Sequence, residues 1–474
     1  MRKAAAPILA AAALLAASGP VLARPAGDDG ARARAIGAND VAGAQAALAA
    51  HADPNQPQAY GASPLALAVD TQNPAMVAAL LAAGAKPNTA DVEGITPLAL
   101  ACELGEPAIV TQLLDAHAGV KATAPDGTTP LAVCARFGAA DAVARMLAMG
   151  ARADAADARG QTPLMWAASA GKTDTIALLL KAGAGINRVS AGGFTPLFFA
   201  IKSGVPAATE ALIAAGADTA RRGPENTSAA QLALYQKNYA AAAMLVERGA
   251  DLAERDRNGN QPLHAAAAGG DTALVALLLA RGADANGLTG PSRITWVTEA
   301  NFGVPPPPVP PTPPLLSAAE AGHAAVMKLL VDAGAQPGFV ADNGANVVIA
   351  AARGGSAAAL AYALTLAPDV NVADANGDTP LHWLLFSGSK PELGAMLRIL
   401  AAHGARADIQ DKRGITAAQI ADGGLSEVKA LFDAAFAVGA MKGGAGKEAA
   451  SEKGAGLAVA AQGTRPDAAQ TPRL

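Results

Sequence analysis

Residues 374–385 read DANGDTPLHWLL and residues 261–267 read QPLHAAA, two copies of one step in which a proline and a leucine follow a small polar residue. Working outward from them, the step recurs at Ser63, Thr96, Thr129, Thr162 and Thr195, each 33 residues after the last. Weakened copies continue the period at Ser228 and Gln261. A jump of 52 then leads to Pro313, two further intervals of 33 reach Asn346 and Thr379, and 37 more reach Thr416. A fixed period of this size is the mark of a stack of like units. The two long intervals locate insertions of 19 and 4 residues.

Other columns keep the same phase. Two residues before the step stand Gly61, Gly94, Gly127, Gly160, Gly193, Asn226, Gly259, Gly344, Gly377 and Gly414. The one substitution within the first run is asparagine, the other residue that tolerates a left-handed backbone, so a tight hairpin is expected there. Nine residues after the step a second glycine column runs through Gly105, Gly138, Gly171, Gly204, Gly270, Gly322, Gly355 and Gly388, a helix-ending position. Apolar triplets such as Ile109/Leu113/Leu114 and Leu274/Leu277/Leu278 follow, and a Gly-Ala pair closes most units. Each unit therefore reads as hairpin, short helix, turn, longer helix and loop. Proline suits the first helical position because its missing N–H would lack a partner there anyway, and threonine can cap that start. Alanine pairs such as Ala167-Ala168 let neighbouring helices approach closely.

This order resembles the ankyrin repeat, whose pattern runs D-x-x-G-x-T-P-L-H-x-A-A and ends in G-A-D-x-N; Gly282 to Asn286 reads GADAN. The resemblance covers roughly residues 31–437, eleven units with a step residue preceded by a half-matching one. It implies an all-α solenoid, a stack of helix-turn-helix units with β-hairpin or loop fingers. It implies also that His264 and His382 orient hairpins by hydrogen bonds, and that binding uses the finger tips and the exposed end of each first helix, the concave surface. On this chain those positions carry Glu93, Ile95, Glu103, Arg136, Phe137, Arg159, Gln161, Phe194, Lys202, Tyr235, Arg257, Asn258 and Phe386. A protein partner and a monomeric, non-enzymatic chain are the expectation.

Composition fits a thin, repeated core. Of 474 residues 51% are hydrophobic but only 3% aromatic, and mean hydropathy is +0.24. Alanine supplies much of that content and buries little area. Arg2 and Lys3, an apolar run over Ala4–Ala17 broken by Pro7, and Val21-Leu22-Ala23 have the layout of a secretory leader cleaved after Ala23. Its removal would leave 34 basic against 40 acidic residues, a charge of −6, with no electrostatic footprint for nucleic acid. The expected organisation is a leader at 1–23, repeats over 24–286, a Pro-rich insertion at 287–312, repeats over 313–437 and a disordered Gly/Ala-rich tail at 438–474, with no membrane span in the mature chain. Such a leader makes the resemblance one to exported bacterial ankyrin-repeat proteins, and the expected compartment is periplasmic or secreted.

Three features fall outside the repeat. The insertion GLTGPSRITWVTEANFGVPPPPVPPT carries Trp296 and Phe302 ahead of a proline run; it either seals a gap between two stacks or offers a contact, which leaves a small-molecule or cell-wall-fragment sensor as a second reading. The unit at Ser228 lacks its proline and has Lys237 in place of the turn glycine, through harmless drift or as a flexible joint. Cys102 and Cys134 lie in adjacent first helices one position out of register. Helices stand ~8–10 Å apart and a disulfide needs Cα atoms within roughly 7 Å, so two buried thiols are expected. No HExxH, GxSxG or GxxxxGK[ST] motif occurs. No cofactor or metal is implied.

Overall fold

The computed structural model describes residues 28–58, 61–292 and 310–443. Within them 24 α-helices fall into twelve successive pairs, from Asp28–Gly37 with Val41–Ala49 to Ala417–Gly423 with Ser426–Gly443. The pairs are numbered here as units 1 to 12, so that units 2 to 12 open on the step residues Ser63 to Thr416. The final helix runs on to Gly443, beyond the boundary expected at residue 437. The leader, Trp296 and Phe302 lie outside the described residues.

Local structure follows the columns. Thr96 accepts the Ala99 N–H at 3.2 Å and Thr129 that of Ala132 at 3.1 Å, each with proline at the next position. All ten residues of the first glycine column have positive φ, Asn226 included at 59°. The fingers they turn are closed by backbone bonds such as Asp91 N–H to Ile95 O (3.0 Å), and aspartate carboxylates brace them, Asp157 accepting the N–H groups of Arg159 and Gln161 at 2.9 and 2.8 Å. Successive fingers bond to each other, as in Ala158 N–H to Asp126 O at 2.7 Å and Ala191 N–H to Arg159 O at 2.8 Å. Among the described residues the sole β-pairing is an isolated bridge between Gln410 and Thr416, so the fingers are turns rather than strands. Loops are tied across units by a further column: Asn55 spans Gly84 O and the Lys86 N–H (3.1 and 2.7 Å), and Asn371 does the same for Gly404 and Arg406 (3.1 and 2.8 Å).

The core is a strip of small residues. Five and six positions after the step, Ala68, Ala101, Ala135, Ala167, Ala168, Ala200, Ala233, Ala266 and Ala267 are all fully buried. Cys102 and Cys134 occupy these same two columns, facing each other across units 3 and 4 where other units place a small or aliphatic side chain. They form a disulfide with Cα atoms 4.7 Å apart, which corrects the expectation of two free thiols. Helix axes ~8–10 Å apart carry Cα atoms on cylinders of radius ~2.3 Å, so Cα atoms on the facing lines come within about 4–5 Å; the axial spacing was the wrong distance to compare. Gly138 packs directly against Cys134. Unlike most of its column, it is extended (φ −79°, ψ −179°), and a Cβ there would stand 3.0 Å from Cys134 O and 3.1 Å from Cys134 Sγ. Replacing both cysteines with alanine should lower local stability by about 3.7 kcal/mol, the loop-closure value for a sequence separation of 32, and non-reducing peptide mass spectrometry should recover the bridged pair. Two unlinked peptides would contradict the pairing.

Units 8 and 9 pack directly on one another across the insertion. Its ends pair through Thr289 N–H to Thr312 O at 3.0 Å, and Asn286 spans Gly334 O and the Gln336 N–H (3.0 and 2.9 Å) as Asn55 does earlier. The described ends of the insertion thus meet at the base of a finger. His264, on the first helix of unit 8, holds that finger by Nε2–H to Thr312 O at 3.0 Å, and His382 reaches Ile415 O at 3.2 Å in the same way. Burial pushes the His264 pKa down to about 4, against the smaller opposing effect of the Thr312 carbonyl. The folded chain therefore keeps His264 neutral while the unfolded chain, with its ordinary pKa near 6.5, takes up a proton. Stability from this site is present above pH 6.5 and lost as pH falls towards 4. Between pH 7 and pH 5 the loss should be about 2 kcal/mol, read from urea unfolding, and His264→Gln should remove that portion of the pH dependence; an unchanged slope would refute the assignment.

A concave groove as candidate functional site

Each first helix shows the concave side two residues, four and seven positions after the step. The seventh-position column runs Glu103, Arg136, Ser169, Lys202, Tyr235 through units 3 to 7 and ends in Arg353 and Phe386. The fourth-position column carries Val133, Trp166, Phe199 and, in unit 11, Trp383. Because the fifth and sixth positions are buried in the stack, the fourth and seventh are the ones left to vary.

Side chains from these columns and from the fingers line three cavities. The first, about 360 Å³, has Glu93 and Ile95 on one finger, Pro125 and Asp126 on the next, and Glu103, Val133, Phe137 and Trp166 on the helices. The second, about 350 Å³, gathers Arg136, Arg159, Gln161, Trp166, Phe199 and Lys202. Trp166 lines both. The third, about 210 Å³, lies between Phe194, Phe198, Tyr235 and Arg257, with Glu225 at its edge. Of the residues expected from the sequence, Glu93, Ile95, Glu103 and Phe137 meet in the first cavity, Arg136, Arg159, Gln161 and Lys202 in the second, and Phe194, Tyr235 and Arg257 in the third. Asn258 is exposed on the unit 8 finger and lines none of them; its N–H donates to Asp256 at 2.8 Å. Phe386 belongs to a separate cluster with Trp383 and Arg413, the guanidinium 5.1 Å from its ring centroid. Trp166, Phe199 and Trp383 were not singled out from the sequence; their shared fourth-position register was the available signal.

Charge is divided along the groove. Glu93, Glu103 and Asp126 flank the first cavity, and the Asp126 carboxyl is held below its ordinary range chiefly by the Thr128 N–H. Arg136 lies 5.0 Å from the Phe137 centroid and 5.5 Å from that of Trp166, and Arg159 sits 5.9 Å above Trp166. Such stacking holds a cation in place while leaving its N–H groups available. Exposed aromatics stand beside them: Phe137, Phe194, Tyr235 and Phe386 keep about 40% of their surface.

Twelve stacked helix pairs with left-handed finger glycines, Pro-Leu helix starts and histidines bonded to the next finger match one family. A family model described as ankyrin repeats (3 copies) matches residues 33–126, 105–190, 131–223, 197–289 and 315–411, well over half the chain. The chain is an ankyrin-repeat protein. Among solved structures it is similar to the human ASB11 ankyrin repeat domain, at 24% identity and a TM-score of 0.41, covering 46% of this ankyrin-repeat chain and 98% of that one. No curated relative matches it. Among the described residues no helix is long and apolar enough to cross a membrane, and no group of three or more His, Cys, Asp or Glu could hold a metal ion.

The two groove tryptophans of this ankyrin-repeat protein differ in one bond. Trp383 donates Nε1–H to Asp374 at 2.9 Å, nine residues earlier on its own finger. Trp166 has Asp157 at the same offset, but Arg159 reaches that carboxylate at 3.4 Å and the buried indole N–H has no acceptor among the described residues. Trp383→Phe should therefore cost about 1 kcal/mol more than Trp166→Phe, measured by urea unfolding; equal costs would show that the Asp374 bond contributes nothing.

Proposed function

We propose that this chain is a non-enzymatic scaffold of the bacterial periplasm that holds a protein partner on its concave face. Ankyrin repeats are interaction modules in general, and the repeat framework here absorbs the histidines and cysteines into structural roles. The observation that carries the reading is the groove over units 3 to 7, where partly exposed aromatics and cations stand together on a rigid, otherwise alanine-rich stack. Binding energy at protein interfaces concentrates in residues of these types. Export is supported by the leader-like residues 1–23 and by a disulfide, a bond that persists in oxidising compartments.

The sensor reading built on residues 287–312 gains no such support. Its aromatic pair lies outside the described residues, and the seam it would cover is closed by the Asn286, His264 and His323 contacts. Affinity capture from a periplasmic extract should retain a defined protein on the wild-type chain and lose at least tenfold of it on a Phe137→Ala, Phe194→Ala, Tyr235→Ala triple variant of unchanged helicity. Equal recovery on both would remove the concave face as the binding surface.

A further inference from the structure

We infer that the groove over units 3 to 6 takes one extended peptide segment of a partner protein, an apolar anchor flanked by a basic residue and followed after about four or five residues by a cluster of carboxylates. The inference rests on the scaffold reading and gives it a partner chemistry and a register.

The first cavity is the anchor site. Its walls are apolar, with Ile95, Val133, Phe137 and Trp166 around a space of about 360 Å³, enough for one or two large side chains. The carboxylates of Glu93, Glu103 and Asp126 stand at its rim, so a cation next to the anchor is favoured and an acid there is repelled. Across Trp166 the charge reverses. Arg136 and Lys202 are exposed and have no carboxylate within ion-pair distance among the described residues, while Arg159 reaches only Asp157, at 3.4 Å. That carboxylate already accepts two backbone N–H groups of its own finger. Three cations thus converge on a cavity of about 350 Å³ with little anionic charge of their own. Two of them are oriented by stacking on Trp166, which reduces the ordering cost of receiving a carboxylate.

Register follows from the stack. The first cavity is centred on units 3 and 4 and the second on unit 5, about one and a half first helices apart, or about 12–15 Å at the usual helix spacing. An extended chain covers that in about four or five residues at ~3.3 Å each. Alternation of charge along the groove then selects both spacing and polarity.

The test uses the full chain and a fluorescein-labelled peptide, Lys-Leu-Phe-Gly-Ser-Gly-Ser-Glu-Asp-Glu, with a charge-reversed peptide in which Lys and the acids are exchanged. By anisotropy at low salt the first should bind at least tenfold more tightly than the second. The charge reversal Arg136→Glu with Lys202→Glu, at exposed positions whose loss leaves the core intact, should abolish that preference or invert it, and Phe137→Ala should weaken the first peptide at least fivefold. Equal binding of the two peptides, or a preference that survives the charge reversal, overturns the inference. So does tighter, Arg136-dependent binding of a ten-residue oligothymidine, which would make the basic cavity a nucleic-acid site. If the peptide preference is absent while protein capture still depends on Phe137, Phe194 and Tyr235, the peptide class falls and the scaffold reading stands; if both are absent, both fall.

Discussion

An isolated helix pair of this chain has no partner for its apolar face, and every unit is stable only through its neighbours. The contact that makes this possible is the close approach of consecutive first helices along the fifth and sixth positions, where alanine predominates and the Cα atoms of Cys102 and Cys134 come within 4.7 Å. Small residues there let the units approach, although unit 11 has Leu384 and Leu385 at the two positions, and the small area each alanine buries is offset by repetition. Everything else in the structure is arranged around that strip. The longer second helices pack their leucines on one side of it, and the fourth- and seventh-position side chains project from the other.

Stacking at this distance also brings the fingers within reach of one another. Their bonds to each other and the aspartate braces inside them set a finger's position by its neighbour as well as by its own unit. Glu93, Ile95, Arg159 and Gln161 are therefore carried on a row of braced turns rather than on mobile loops, and the first cavity is walled by three consecutive units. The disulfide joins two of them directly beneath it. A surface built in this way is largely formed before a partner arrives, and less of the interaction is spent on ordering it.

The architecture was legible in the sequence because its causes are local and repeated. A glycine at positive φ, a proline at the first helical position and a threonine cap each have one physical reason, and their recurrence from unit to unit removes ambiguity. The exposed seventh-position residues were legible for the same reason, and eleven of the thirteen concave-face residues fall into three cavities. What could not be read was side-chain company. Trp166 stands at a position occupied elsewhere by Leu100, Val133 and Leu232 and looks like part of the packing until two arginines are found over its ring. The disulfide is hidden from the sequence because axial spacing does not measure how near two facing Cα atoms come. Lys237, His51 and His117 take positive φ where other units use glycine, each in a turn closed by its N–H on a carbonyl of its own helix, as Lys237 N–H on Leu234 O at 3.0 Å.

The insertion between units 8 and 9 bears on how such a chain can change. Since Thr289 and Thr312 meet at the finger base, the 19 extra residues lengthen the polypeptide without altering the separation or phase of the helices on either side. The 4-residue insertion falls instead between the two helices of unit 11, where Lys390 and Glu392 reach back to Arg353 O and the Ala357 N–H of unit 10. A finger is therefore one place where such an array can acquire new sequence without mechanical penalty, and the helical rows serve as a ruler whose graduations stay constant while the pointers attached to it are exchanged.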